Sequence, residues 1–216
     1  MIPGIATKTL DPVLRQLVEF YSTTLASYGP TPHGVGWNSV KAQQLRFAQL
    51  CSGLDTEERR SIIDYGCGYG ALLPYLRSLG GNFDYWGYDM CGDMIEAAKK
   101  ELGSEPDVHF TTEREELPQA DYCVASGIFN VRFDAGDDAW HDYMIATVED
   151  MAGLARRCMS FNALTTYSDP EKQRSDLYYA DPLRIFDYCK RNLSRDVALL
   201  HDYELFDFTI VVRNPR

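Results

Sequence analysis

A chain of 216 residues with 45% hydrophobic and 12% aromatic side chains is long enough to bury the core of one α/β domain, with at most an N-terminal extension besides. Its formal net charge of −11 and the absence of any Lys/Arg run argue against a nucleic-acid partner and for a small ligand. Six scattered cysteines without CxxC spacing fit reduced thiols and no metal site, and neither a signal-peptide pattern nor an apolar run of membrane-spanning length occurs; a cytoplasmic protein without a membrane partner is expected.

From Asp11 to about Ser27, the residues Val13, Leu14, Leu17, Val18, Tyr21 and Leu25 recur at helical spacing, with Asp11 as N-cap and Pro12 at the first helical position. The Gly/Pro-dense segment YGPTPHGVGWN, residues 28–38, breaks the chain before a second helix over 39–54. Residues 1–58 are thus expected to form a helical extension or lid, and 59–216 the sheet-bearing domain. After Ser61 the pattern alternates: strand SIIDY, helix ALLPYLRSL, strand FDYWGYD, helix GDMIEAAKKEL, then strands DVHFTT and ADYCVAS. A helix from Asp137 to about Arg157, a strand CMSFNALT, a charged, tyrosine-rich loop over 166–181 and a helix from Pro182 to Asn192 follow. VALLHDY and FDFTIVV lie close enough to pair as an antiparallel hairpin. Strands separated by helices imply right-handed crossovers and a parallel sheet, so the fold class is α/β with seven strands.

The stretch SIIDYGCGYG places Gly66, Gly68 and Gly70 directly after a buried strand. Glycines there let the backbone turn sharply and approach a ligand with no Cβ in the way, which suits a nucleotide-like molecule. Gly66-x-Gly68-x-x-Ala71 also satisfies the loose dinucleotide fingerprint, so the loop alone leaves two cofactor classes open. Asp89 ends the second strand, twenty-five residues after Asp64, where an acid accepts the ribose hydroxyls of an adenosine in either class.

DYGCGYG at 64–70, followed by YDMCGDMIEAAKK at 88–100, resembles the first two motifs of the class I S-adenosylmethionine-dependent methyltransferases. The resemblance covers roughly residues 60–216. It implies a Rossmann-like seven-stranded sheet, mostly parallel with a C-terminal antiparallel hairpin and helices on both faces, with S-adenosyl-L-methionine as cofactor and S-adenosyl-L-homocysteine as product. It also implies that Asp64 orients the cofactor's amino acid end, that Tyr65, Gly66, Cys67, Gly68 and Gly70 lie along the cofactor, that Asp89 binds the ribose and that Met90 lies against the adenine. Thr112 and Glu113 are the nearest matches to the family's adenine-edge contacts. In ASGIFN, Ser126 and Gly127 match the position beneath the sulfonium, with Phe129 and Asn130 next on the acceptor side. The Asn/Asp-Pro-Pro-Tyr signature is missing there, which argues against DNA adenine and glutamine acceptors. GWNS, ASGIFN, LYYADP and VALLHDY together resemble stand-alone methyltransferases of sugar, polysaccharide or specialised-metabolite pathways.

Methyl transfer from a sulfonium is an in-line displacement in which orientation can carry much of the acceleration, and a base is needed only if the acceptor loses a proton early. His201, just after VALL, is the candidate base, against a histidine satisfied within the hairpin. Tyr178 and Tyr179 are expected to shape the acceptor pocket or to join the core; Arg132 and Arg174 hold an anionic acceptor group or pair at the surface. Trp37 shields the sulfonium and Asn38 reaches the cofactor's amino acid end, or Trp37 merely pins the N-terminal helices to the sheet. The expected function is S-adenosylmethionine-dependent methylation of a small polar acceptor. An NAD-dependent oxidoreductase and a non-catalytic cofactor-binding module are the alternatives; the C-terminal hairpin and the lack of a second domain count against the former.

Overall fold

The computed structural model describes residues 6–215, with side chains from residue 11. Seven strands form one sheet: β1 (Arg60–Tyr65), β2 (Phe83–Tyr88), β3 (Val108–Thr111), β4 (Ala120–Ala125), β5 (Ala155–Leu164), β6 (Asp196–Leu200) and β7 (Asp207–Arg213). Their order is β3-β2-β1-β4-β5-β7-β6; β1 to β5 run parallel, and β7 lies antiparallel to both neighbours.

The parallel strands are apolar on both sides because helices cover both faces of the sheet. In β1, Ile62 and Ile63 are fully buried and point to opposite faces. Ile63 joins a core beneath α1 (Ala6–Tyr28), α5 (Asp137–Leu154) and α6 (Pro182–Asn192), built from Leu17, Trp140, Met144 and Ile185. Ile62 joins a second core beneath α2 (Val40–Leu50) and α3 (Leu72–Ser78), with Phe47, Leu50 and Leu76. A further helix, α4 (Gly92–Leu102), links β2 to β3 and contacts both β3 and α1.

Two elements depart from the sequence pattern. The first helix begins at Ala6, so Asp11 is no N-cap and Pro12 lies inside the helix. Proline's φ suits a helix and its missing N–H removes a single bond near the helix start, a loss offset by docking the face of Leu17, Val13 and Leu14 on the core. The helix expected to reach Arg157 stops at Leu154, and Ala155 opens β5, because the sheet claims that segment: Ala155 pairs with Ala120 and Cys158 with Arg213.

The N-terminal helices are bound into the sheet. Ser39 caps α2, its hydroxyl accepting from the Ala42 N–H at 3.1 Å. One turn further on, Arg46 donates to both carboxylate oxygens of Asp207 at the start of β7, at 3.1 and 2.6 Å. Both side chains are buried, and a buried charge stripped of its partner is strongly destabilising. Replacing Arg46 by Met is therefore expected to cost about 3 kcal/mol or more and to lower Tm by roughly 6–12 °C in a thermal melt. Burial already holds the Asp207 carboxyl above its usual range against the opposing pull of Arg46, so the deficit should grow between pH 5 and pH 8 as the unpaired carboxylate ionises.

Candidate active site

The strand order reverses direction between β1 and β4, and the crevice at their carboxyl ends is where an open α/β sheet binds its ligand. There the chain leaves β1 through a loop tied to the tip of β2. The N–H groups of Gly66 and Cys67 both donate to the Tyr88 carbonyl, at 2.7 and 2.9 Å. Asp89 accepts from the Gly68 N–H at 2.9 Å and from the Cys91 N–H at 2.8 Å. Gly66 has φ +78° and a Cβ there would stand 2.3 Å from Ile128, so only glycine turns the chain under the loop that follows β4.

The result is a cleft of about 950 Å³, including its mouth, with Asp64 and Asp89 in its wall. Asp64 is 3% exposed and its carboxylate accepts from the Tyr85 hydroxyl at 2.6 Å. Burial pushes its pKa up to about 7, with the Tyr85 bond opposing and the Asp89 charge adding. Asp89 is also raised by burial, against the backbone N–H groups of Cys91 and Gly68. Among the described residues lining the cleft, none is Lys, Arg or His. Two desolvated carboxylates without a counter-cation, beside the unpartnered buried Ser126 hydroxyl, fit a cationic, nucleoside-bearing ligand and disfavour a diphosphate.

A second, larger cavity of about 1710 Å³ adjoins the first, and Tyr21, Val35, Trp37 and Gly127 line both. At Gly127, φ is +76° and a built Cβ would come within 2.3 Å of the Trp37 ring, so the indole edge occupies the space a side chain would fill. The Arg46 guanidinium covers Trp37 at 4.0 Å from the ring centroid, which ties the boundary between the cavities to the buried Arg46–Asp207 pair.

Residues 62–152 match the family described as "Methyltransferase domain". Over 153 residues the chain is 50% identical to "Putative methyltransferase Rv1506c" of Mycobacterium tuberculosis, covering 71% of this chain and 92% of that one. The chain belongs to the class I S-adenosylmethionine-dependent methyltransferases. Solved structures share the methyltransferase's fold at low identity. The "DhpI-SAH complex structure" superposes with a TM-score of 0.57 at 16% identity, covering 94% of this chain and 98% of the other. A SAM-dependent methyltransferase from Aquifex aeolicus gives 0.56 at 14% identity, over 82% and 94%. S-adenosylmethionine is the cofactor, and the cleft of the two carboxylates is where the methyltransferase's residues fit it.

Most of the cofactor residues expected from the sequence come together there: Trp37, Asp64, Tyr65, Gly66, Cys67 and Gly68 line the cleft, as do Asp89, Met90, Ser126 and Gly127. The Cys67 thiol, held well above its usual range by burial, remains neutral. Gly70 faces Leu102 and Phe110 instead, and Thr112 and Glu113 are exposed beyond the tip of β3, outside both cavities. Asn38 lines the second cavity, together with Asn130 and Tyr179.

The remaining acceptor-side residues serve the scaffold. Phe129 is fully buried against Phe161, and its carbonyl accepts from the Trp140 indole at 2.9 Å. Arg132 donates to the Leu177 carbonyl at 3.2 Å and pairs with Asp137, joining the β4–α5 connection to the loop over 166–181. The Tyr178 hydroxyl is paired with His141 Nδ1 at 3.1 Å. His201 lies exposed past the end of the edge strand β6, its ring 5.7 Å from Tyr167, and lines neither cavity. Tyr21, Gln43 and Tyr143, which no motif marks, reach the cleft from α1, α2 and α5.

Because Asp64 is ionised in the unfolded chain from about pH 4 but in the folded chain only near pH 7, its burial costs stability progressively as pH rises through that window, about 1.4 kcal/mol per pH unit. Asp64→Asn keeps the acceptor for Tyr85 and removes the charge. Its Tm should exceed that of the parent by a margin that widens from pH 5 to pH 8, while calorimetry shows weaker S-adenosylhomocysteine binding. An equal margin at both pH values would contradict this account.

Proposed function

We propose that the methyltransferase acts on a small polar acceptor, a sugar, polysaccharide precursor or specialised metabolite, held in the second cavity and methylated across the boundary formed by Tyr21, Val35, Trp37 and Gly127. The observation that carries this reading is the adjacency of the two cavities, which share those four residues as a common wall. When bound, S-adenosylmethionine supplies a methyl group on a positively charged sulfur.

The chain's own part is positioning. Trp37 and Tyr21 exclude water from the boundary and leave an acceptor one direction of approach. Asn130 is 6% exposed; its Oδ1 accepts from the Leu164 N–H at 3.3 Å, which leaves its Nδ2 beside Gly127 to hold an acceptor oxygen. The cations around the cavity are already matched, Arg46 by Asp207, Arg174 by Asp176 and Lys172 by Asp169, which favours an acceptor without strong negative charge. Apolar and aromatic walls such as Phe20, Leu177, Tyr179 and Phe206 suit the flat faces of a sugar ring or a larger metabolite. His201 has no part in this scheme, which relies on approximation with no dedicated base.

The described N-terminal helices and the 28–38 segment act in this reading as an extension that closes over the cofactor. Among the described residues no helix is long and apolar enough to cross a membrane. The acidic chain and six free, buried cysteines favour a cytoplasmic enzyme acting on small molecules over one acting on nucleic acid.

Incubation with methyl-labelled S-adenosylmethionine and a panel of neutral glycans, amino and hydroxyl metabolites, phosphorylated acceptors, tRNA and DNA tests the acceptor class. Label should pass to an uncharged hydroxyl or amino acceptor; transfer to nucleic acid or to phosphorylated acceptors alone would overturn it. For the lid, Trp37→Ala should weaken S-adenosylhomocysteine binding about tenfold. A fall in Tm with affinity intact would reduce Trp37 to a structural pin.

A further inference from the structure

The cofactor carries at one end an amino acid, with an ammonium and a carboxylate to be matched separately. Asp64 and Asp89 suit the cationic groups and the ribose, but they repel a carboxylate, and no described cation lines the cleft. Neutral donors must hold it. Cys67 and Gly66 already spend their N–H groups on Tyr88, and Gly68 spends its own on Asp89. Ser126 stands beside Gly127, at the boundary with the second cavity.

Gln43 is different. It projects from the first turns of α2, is 6% exposed and lines the cleft. Its Oε1 accepts from the Tyr69 hydroxyl at 3.4 Å, which fixes which way the amide faces, while its Nε2 has no partner among the described residues. The Nε2 atom is not sealed off from the cleft, so its N–H groups are available to a ligand there. Its surroundings also select the end of the cleft. Gln43 and Phe47 of α2 and Leu72 of α3 border it on one side, whereas Leu17 of α1, Met94 of α4 and Tyr143 of α5 border the other. Asp64 belongs with the first group, since its carboxylate accepts from Tyr85 of the core beneath α2 and α3.

We propose that Gln43, oriented by Tyr69, holds the carboxylate of the cofactor's amino acid end through its Nε2 and so makes the cleft selective for a ligand that retains that end. The proposal rests on the cleft being the S-adenosylmethionine site. It gives the N-terminal extension a specific contact with the cofactor besides the cover supplied by Trp37.

The test compares S-adenosylhomocysteine with 5′-methylthioadenosine, which keeps the nucleoside and sulfur but lacks the amino acid end, by calorimetric titration at pH 7.5. Gln43→Met preserves length and removes the amide. S-adenosylhomocysteine should bind about tenfold more weakly or worse, the loss expected for a hydrogen bond to a charged group, while the Kd for methylthioadenosine moves less than twofold. Gln43→Glu, which keeps the shape and adds a negative charge, should weaken S-adenosylhomocysteine further and again spare methylthioadenosine. Unchanged S-adenosylhomocysteine affinity in either variant, or parallel loss of both ligands, would overturn the assignment. Failure of the unaltered protein to bind either ligand would instead overturn the reading of the cleft.

Discussion

The seam between the tips of β1 and β2 is the constraint on which the site depends. One carbonyl, that of Tyr88, takes the N–H groups of Gly66 and Cys67, and one carboxylate, that of Asp89, takes those of Gly68 and Cys91. The parallel register brings Tyr65 opposite Tyr88, so the loop after one strand lies directly against the end of the other. Six residues are joined by four hydrogen bonds from backbone N–H groups, and two carboxylates are left facing one cleft. Hydrophobic burial alone would not choose that arrangement, because it raises the pKa of both acids. Stability is lower for a charge pattern that suits a cationic ligand, a common relation between active sites and the folds that carry them.

The second organising feature runs crosswise, from α2 to β7 and back to β4. Asp207 holds Arg46, Arg46 covers Trp37, and Trp37 fills the space above Gly127. Each contact belongs to a different element, so the N-terminal helices are registered on the sheet by a buried ion pair and a ring, in addition to apolar packing. The boundary between the cofactor cleft and the second cavity is thereby set by residues far apart in sequence. It is also where the chemistry must occur if one cavity holds the methyl donor and the other its acceptor.

Much of this was legible in the sequence, and the reasons differ by element. The strands around the glycine loop declared themselves because a parallel sheet buried on both faces needs adjacent apolar residues, and Ile62 with Ile63 and residues 122–125 supply them. Asp64, Asp89 and the glycines stood out because backbone turns and strand tips restrict residue type. Side chains delivered by helix faces did not: Gln43 and Tyr21 carry no local signature, and their arrival at the cleft depends on how α1 and α2 dock. Positions just beyond strand ends were similarly opaque. Thr112 and His201 follow β3 and β6 as the pattern suggests, but whether such a residue turns inward is decided by the next few bonds, and in both cases the chain turns out to solvent. The Asp11 cap was misread because a proline early in a helix costs little when the buried face continues through it.

Two carboxylates, Asp64 buried and Asp89 half-buried, with no described cation lining the cleft beside them, suit an amino-acid nucleoside better than a dinucleotide. Calorimetric titration of the purified protein with S-adenosylhomocysteine and, separately, with NAD tests this preference most directly. Saturable one-to-one binding of S-adenosylhomocysteine is expected, with no binding of NAD, whose diphosphate the two acids would repel. Binding of NAD in competition with S-adenosylhomocysteine, or of NAD alone, would contradict that preference.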